Sequence, residues 1–139
     1  KTVDEVRENL TNGSALSKFE AMIQAQGGDL DDLYRQSSAQ YIVDVVADDS
    51  GYIMELPAME FGLFAMRLGA GRAVKSDHLD FETGIVFEKK VGEAVETGDV
   101  IARIYANQKI TEEVVTEFKK NVRIGNEQKK VSEIIEVIA

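Results

Sequence analysis

Apolar residues recur at helical spacing through the first part of the chain and at strand-like spacing beyond it. Val3, Val6 and Leu10 fall three and four apart, which predicts a helix over 2–12. Asn12-Gly13 stops it, because glycine accepts the left-handed conformation that ends helices. Ser14 is placed to cap a second helix whose apolar face is Leu16, Phe19, Met22 and Ile23, and Gly27-Gly28 ends that one. Residues 29–40 carry Asp29, Asp31, Asp32, Ser37 and Ser38 without periodicity, so they read as a linker, and the domain boundary is placed there.

From Tyr41 the texture changes. Tyr41–Ala47 is rich in β-branched residues and predicts a strand; Asp48-Asp49-Ser50-Gly51 predicts a turn and Tyr52–Leu56 a second strand. Pro57 suits the first position of a helix that Met59, Leu63, Phe64, Met66 and Leu68 would pack through one broad face, up to Gly69. Strands are predicted over 85–91 and 99–105, with the glycines of Val91–Asp99 at tight corners. Thr111 is placed to cap a helix over 112–120 with Val114, Val115 and Phe118 inward. Val122–Ala139 reads as closing strands, with a helix over 131–138 as the alternative. Asp49-Ser50-Gly51-Tyr52-Ile53-Met54 and Glu82-Thr83-Gly84-Ile85-Val86-Phe87 share one pattern, a faint echo of the kind two similar half-units would leave. The predicted class is α+β: a small mixed sheet with packed helices, preceded by two further helices.

Composition narrows the function classes. The 139 residues suit one domain with an appendage, and a 44% hydrophobic share supports a core. A net charge of −9 opposes binding of a phosphate backbone, so no nucleic-acid partner is expected. The pairs Lys89-Lys90, Lys119-Lys120 and Lys129-Lys130 are interleaved with acids and read as solvated surface. No apolar run is long enough to span a bilayer, and no membrane partner is expected. Cysteine is absent, which removes disulfides, thiolate metal sites and cysteine nucleophiles and suits a reducing compartment, taken as the cytoplasm. The first residue is Lys1 rather than Met, so the chain reads as a processed protein or as a piece of a longer one.

Four patterns invite chemistry. Gly69-Ala70-Gly71-Arg72 could cradle an anion on its backbone N–H groups, but the order is helix then loop, Val74 stands where a dinucleotide fingerprint has its third glycine, and no Lys-Ser/Thr pair follows. A helix C-terminus with close backbone packing is the plainer reading. His78 is the only histidine; beside Asp77 and Asp80 it could act as a base or ligand, yet it has no second histidine or cysteine to complete a transition-metal site, and a turn role fits it better. Asp77, Asp80 and Glu82 could gather around a hard cation, but their spacing is not that of an EF-hand loop. Asp48-Asp49-Ser50-Gly51 is a turn before it is a cation site.

Three blocks carry a resemblance. Asn12–Phe19 runs into Ala25-Gln26-Gly27-Gly28-Asp29; Leu68–Arg72 is followed by Asp77 and Asp80; and Gly84–Gly92 is followed by Gly98–Asn107. In that order they resemble the C-terminal part of the thymidine and pyrimidine-nucleoside phosphorylase family. The resemblance implies a hammerhead-type α+β module at 38–139, with 1–37 as the helical tail and linker of a preceding mixed α/β domain. It implies an intact homodimeric enzyme that cleaves a pyrimidine nucleoside with inorganic phosphate, its co-substrate, to a free base and a pentose 1-phosphate. The family's phosphate-binding Gly/Ser-rich segment and its base-contacting Arg, Ser and Lys have no counterpart here. The expectation is therefore no catalytic, substrate-binding, cofactor or metal residue in this chain, no cofactor, and a supporting role beside the remainder of a parent enzyme. Gly84–Ala102 also resembles biotinyl and lipoyl carriers, which present a lysine at a hairpin tip, and a non-enzymatic binding module is the other alternative. Lys75 is the only lysine between the two half-units, in a polar setting unlike a carrier's.

Overall fold

The computed structural model describes residues 2–35, 38–72 and 74–131. The chain divides into two compact units, Lys1–Ser37 and Ser38–Ala139.

The first unit is a helical pair, α1 (Val3–Thr11) and α2 (Ser14–Ala25), followed by a short 3-10 turn at Leu30–Tyr34 inside the expected linker. A reciprocal cap starts α1: the Glu5 N–H donates to Thr2 Oγ1 (3.3 Å) and the Thr2 N–H to Glu5 Oε2 (2.7 Å). Gly13, at φ +82°, makes the turn between the helices. The cap assigned to Ser14 comes instead from Asn12, whose Oδ1 accepts the Ser14 N–H at 2.9 Å. Neither helix buries a residue, and Leu16, Phe19 and Met22 remain exposed.

The second unit holds β1 (Tyr41–Val46), β2 (Gly51–Glu55), α3 (Ala58–Ala65), β3 (Gly84–Phe87), β4 (Ala94–Val95), β5 (Val100–Ala106), α4 (Glu112–Lys119) and β6 (Arg123–Gly125). Its class is α+β. The strands form two three-stranded sheets, β1-β5-β3 and β4-β2-β6, and the pairings within both are antiparallel. The segments with echoing sequences open β2 and β3, but β2 is central in its sheet and β3 lies at an edge, so the echo is local. Val45, Ile53, Ile104, Phe64 and Phe118 are fully buried between sheets and helices. Phe118 of α4 meets Phe61 at 4.8 Å and Phe64 at 5.5 Å between ring centroids, joining α3 to α4.

Several expectations shift. The strand predicted over 85–91 stops at Phe87, because the N–H groups of Glu88 and Lys89 both turn onto the Ile101 carbonyl. The helix predicted up to Gly69 ends at Ala65 and continues as one wider π turn over Met66–Ala70. Pro57 stands just outside α3 in an extended conformation. Thr111 precedes α4 without a side-chain cap. On α3 the buried residues are Phe61 and Phe64, whereas Met59 is 73% exposed and Leu63 39%. Nearly every position of that helix is apolar, so periodicity could not choose its inward face; the Phe118 ring does. Of the closing strands, β6 is three residues long, and residues 132–139 lie outside the described residues. Among the described residues no helix is long and apolar enough to cross a membrane.

Candidate functional site

The π turn after α3 brings the chain to Gly69, whose φ of +114° a residue with a side chain rarely adopts. Its carbonyl accepts the Asp80 N–H at 3.0 Å, and the Leu68 carbonyl accepts Gln108 Nε2 at 3.1 Å. Asp80 is the hub of a polar cluster. Its carboxylate accepts Thr83 Oγ1 at 2.8 Å, the Glu82 N–H at 3.0 Å and Asn107 Nδ2 at 3.0 Å. Asn107 Oδ1 in turn accepts the Gln40 N–H at 3.0 Å, and Glu82 Oε2 accepts the Ser38 N–H at 2.9 Å. Asp80 thereby ties together the π turn after α3 through its backbone N–H and, through its carboxylate, the approach to β3, the end of β5 and, by way of Asn107, the entry to β1.

The electrostatics match the geometry. The Thr83 hydroxyl first, then the Glu82 N–H, hold the Asp80 carboxyl below the ordinary aspartate value; Asn107 and the charge of His78 add to this against a desolvation effect that raises it. Thr83 is buried, and its hydroxyl is satisfied by Asp80.

The structure distributes the sequence-predicted residues unevenly. Of the acidic trio, Asp80 is committed to hydrogen bonds, Asp77 Oδ2 accepts the Val74 N–H at 2.9 Å, and Glu82 holds Ser38. Among the described residues no three His, Asp or Glu side chains are grouped to hold a metal ion. His78, Arg72 and Lys75 are exposed, with Lys75 in the turn beyond the π turn rather than at the tip of a hairpin. Gly71 packs over Met66, where an added Cβ would come within 2.9 Å of the side chain. The Asp48–Gly51 turn is structural: Asp48 pairs with Lys119 at 2.5 Å, Ser50 Oγ lies 3.2 Å from Thr97 Oγ1, and a Cβ on Gly51 would meet the Gly125 carbonyl at 2.6 Å. Asn107, Gln108 and Thr83, which complete the Asp80 cluster, carry no signal in their local sequence, because their roles come from pairings across the fold.

Chemically, the cluster is a set of carboxylate, hydroxyl and amide groups hydrogen-bonded to one another. It fixes three loops at one end of the β1-β5-β3 sheet.

Comparison with known proteins places this unit. The family described as pyrimidine nucleoside phosphorylase C-terminal domain matches residues 52–125, from β2 to β6. The chain is 42% identical over 135 residues to the pyrimidine-nucleoside phosphorylase of Bacillus subtilis (strain 168), covering 92% of this chain and 31% of the relative. It is 40% identical over 119 residues to that of Geobacillus stearothermophilus, covering 84% and 28%. It is 37% identical over 133 residues to that of Staphylococcus aureus (strain N315), covering 91% and 31%. The chain thus spans less than a third of the length of these relatives. With more than half of its residues matched by the family, the chain belongs to the pyrimidine nucleoside phosphorylase C-terminal domain family.

Proposed function

We propose that this chain serves as the C-terminal supporting module of a pyrimidine-nucleoside phosphorylase and does not perform the chemistry itself. The observation that carries the reading is the family match over β2–β6 together with relatives of which this chain spans under a third. The Asp80 cluster supports it: the polar groups gathered at that end of the sheet are engaged in holding loops. In the proposed whole enzyme, phosphate attacks the anomeric carbon of a pyrimidine nucleoside while the leaving base is stabilised, giving the free base and a pentose 1-phosphate. The phosphate-binding and base-contacting groups belong to the upstream part. Inorganic phosphate is then a co-substrate and no cofactor is required. Residues 1–37 are read as the tail of the preceding domain, and the whole enzyme as a cytoplasmic homodimer assembled through that upstream part.

Two assays test this. Incubated with uridine and phosphate, the chain alone should liberate no uracil above a blank; a measurable rate would overturn the supporting role. A full-length relative shortened by the region matching 38–139 should lose phosphorolysis, and undiminished turnover would remove the case for support.

A further inference from the structure

An apolar groove of about 550 Å³ lies between α3 and β3. Ala58, Phe61, Gly62 and Ala65 form its helical wall, and Ile85 and Phe87 its strand wall. Eight residues of helix span about 12 Å and four residues of strand about 13 Å, so the two walls match in length.

Three features define what the groove accepts. First, β3 is an edge strand: among the described residues it pairs with β5 alone. In an antiparallel pair, successive residues face the partner strand alternately. The Glu88 N–H reaches the Ile101 carbonyl, so Val86 and Gly84 face β5, while the main-chain N–H and C=O groups of Ile85 and Phe87 point out of the sheet edge. Second, the wall of α3 is low. Ala58, Gly62 and Ala65 recur four and three residues apart, and a Cβ added at Gly62 would meet nothing within 4 Å. The φ of Gly62 is not positive, so the backbone does not call for glycine there. Phe87 remains 37% exposed although its ring meets that of Phe61 at 5.0 Å. Third, Lys90 stands exposed on the groove with no ion pair among the described residues, whereas Lys89 reaches Asp99 at 3.4 Å.

Each feature names a property of the occupant. The open edge takes an extended main chain, the low apolar wall takes apolar side chains on every second residue, and Lys90 takes a carboxylate. A second copy of the chain does not supply this set. Of its edge strands β1, β3, β4 and β6, only β1 carries an acid, Asp44, and Arg103 holds it at 2.9 Å.

We propose that the groove binds an extended segment of a partner protein. The segment adds to β3 as an antiparallel strand, sends alternate apolar side chains between β3 and α3, and sets an acidic residue against Lys90. Lys90 follows β3 in the chain, so the acid lies toward the N-terminal end of the guest strand, and the charge pair fixes its register. The proposal concerns the second unit alone and does not rest on the enzymatic reading.

The probe is the peptide Glu-Val-Thr-Val-Thr-Val, carrying fluorescein at its N-terminus and an amide at its C-terminus, titrated with the full 139-residue chain and followed by anisotropy. Binding should saturate. Methylating one alternate set of the peptide's amide nitrogens should abolish binding and methylating the other set should not, because only one set faces β3. Lys90→Glu should weaken binding several-fold, and a peptide with Lys in place of its Glu should recover it. Gly62→Leu suits a helix and should fold, yet fill the groove and abolish binding. No binding by the parent chain would overturn the proposal, as would equal loss from both methylated sets, undiminished binding to a folded Gly62→Leu, or a charge exchange at Lys90 without effect. Self-association of the chain that Gly62→Leu abolishes would assign the groove to a second copy and overturn it as well. Should Gly62→Leu not fold, the charge exchange at Lys90 still decides.

Discussion

Asp80 shows how one side chain can set a local structure. Its carboxylate collects hydrogen bonds from Thr83, Glu82 and Asn107, and these favour its charged form. That preference fixes the sign of the pH effect. A carboxyl held below its ordinary value of 3.8 stabilises the fold above that value, and the stabilisation is lost as pH falls through the lower, folded-state value. Asp99, held down chiefly by the Glu96 N–H and also by Lys89, acts in the same direction. We expect thermal stability to drop as pH is lowered from about 5 to about 3. Asp80→Asn should melt lower at neutral pH and lose less on acidification than the parent chain. An unchanged acid slope in that variant would show that Asp80 is not a source of it. Asp80 was legible in the sequence only as a member of an acidic trio. Its partner Asn107 lies at the far end of another strand, and nothing in the local sequence of either residue announces the pair.

At the scale of elements, the junction of α3 and α4 organises the second unit. Phe118 is fully buried and touches Phe61, Phe64 and Phe87, whose centroids lie 4.8, 5.5 and 6.0 Å away. Phe118→Ala removes a ring from the centre of that cluster and should cost about 3–5 kcal/mol in urea unfolding. Met59→Ala, on the exposed side of α3, should change stability by no more than about 0.5 kcal/mol. A cost at Met59 of several kcal/mol would restore the inward face that the sequence pattern suggested for α3. The inward face of α4 was readable because polar residues mark its outer side. The inward face of α3 was not, because an almost uniformly apolar helix carries no directional signal and its orientation is chosen by what packs against it.

At the scale of the molecule, the two units differ in what holds them. Neither α1 nor α2 buries a residue, whereas the second unit encloses ten buried residues in one cluster. Residues 38–139 should therefore unfold cooperatively without the first unit, while a peptide of residues 1–37 should show little helix by circular dichroism, since short helices without tertiary cover are marginal in water. A loss of cooperative melting in 38–139 would place the boundary elsewhere. The surface ion pairs fit a unit held by its core. Arg103 bridges Asp44 at 2.9 Å and Glu88 at 3.1 Å on the β1-β5-β3 sheet, but exposed pairs of this kind add little to stability.

The sequence by itself determined the positions of α1, α2 and α4 and the start of α3, since periodicity and the stop at Gly13 are local properties of the chain. It determined most strand positions, because β-branched runs favour extended backbone, and it carried the three blocks that point to the family. Tertiary structure alone decided where the strand after Gly84 ends, since the Ile101 carbonyl draws the next two N–H groups away. It also chose the inward side of α3 and assembled the Asp80 cluster, in which Asp80 and Asn107 stand 27 residues apart. Those outcomes depend on groups that meet only once the chain has folded, and the spacing of residues along the sequence does not encode such meetings.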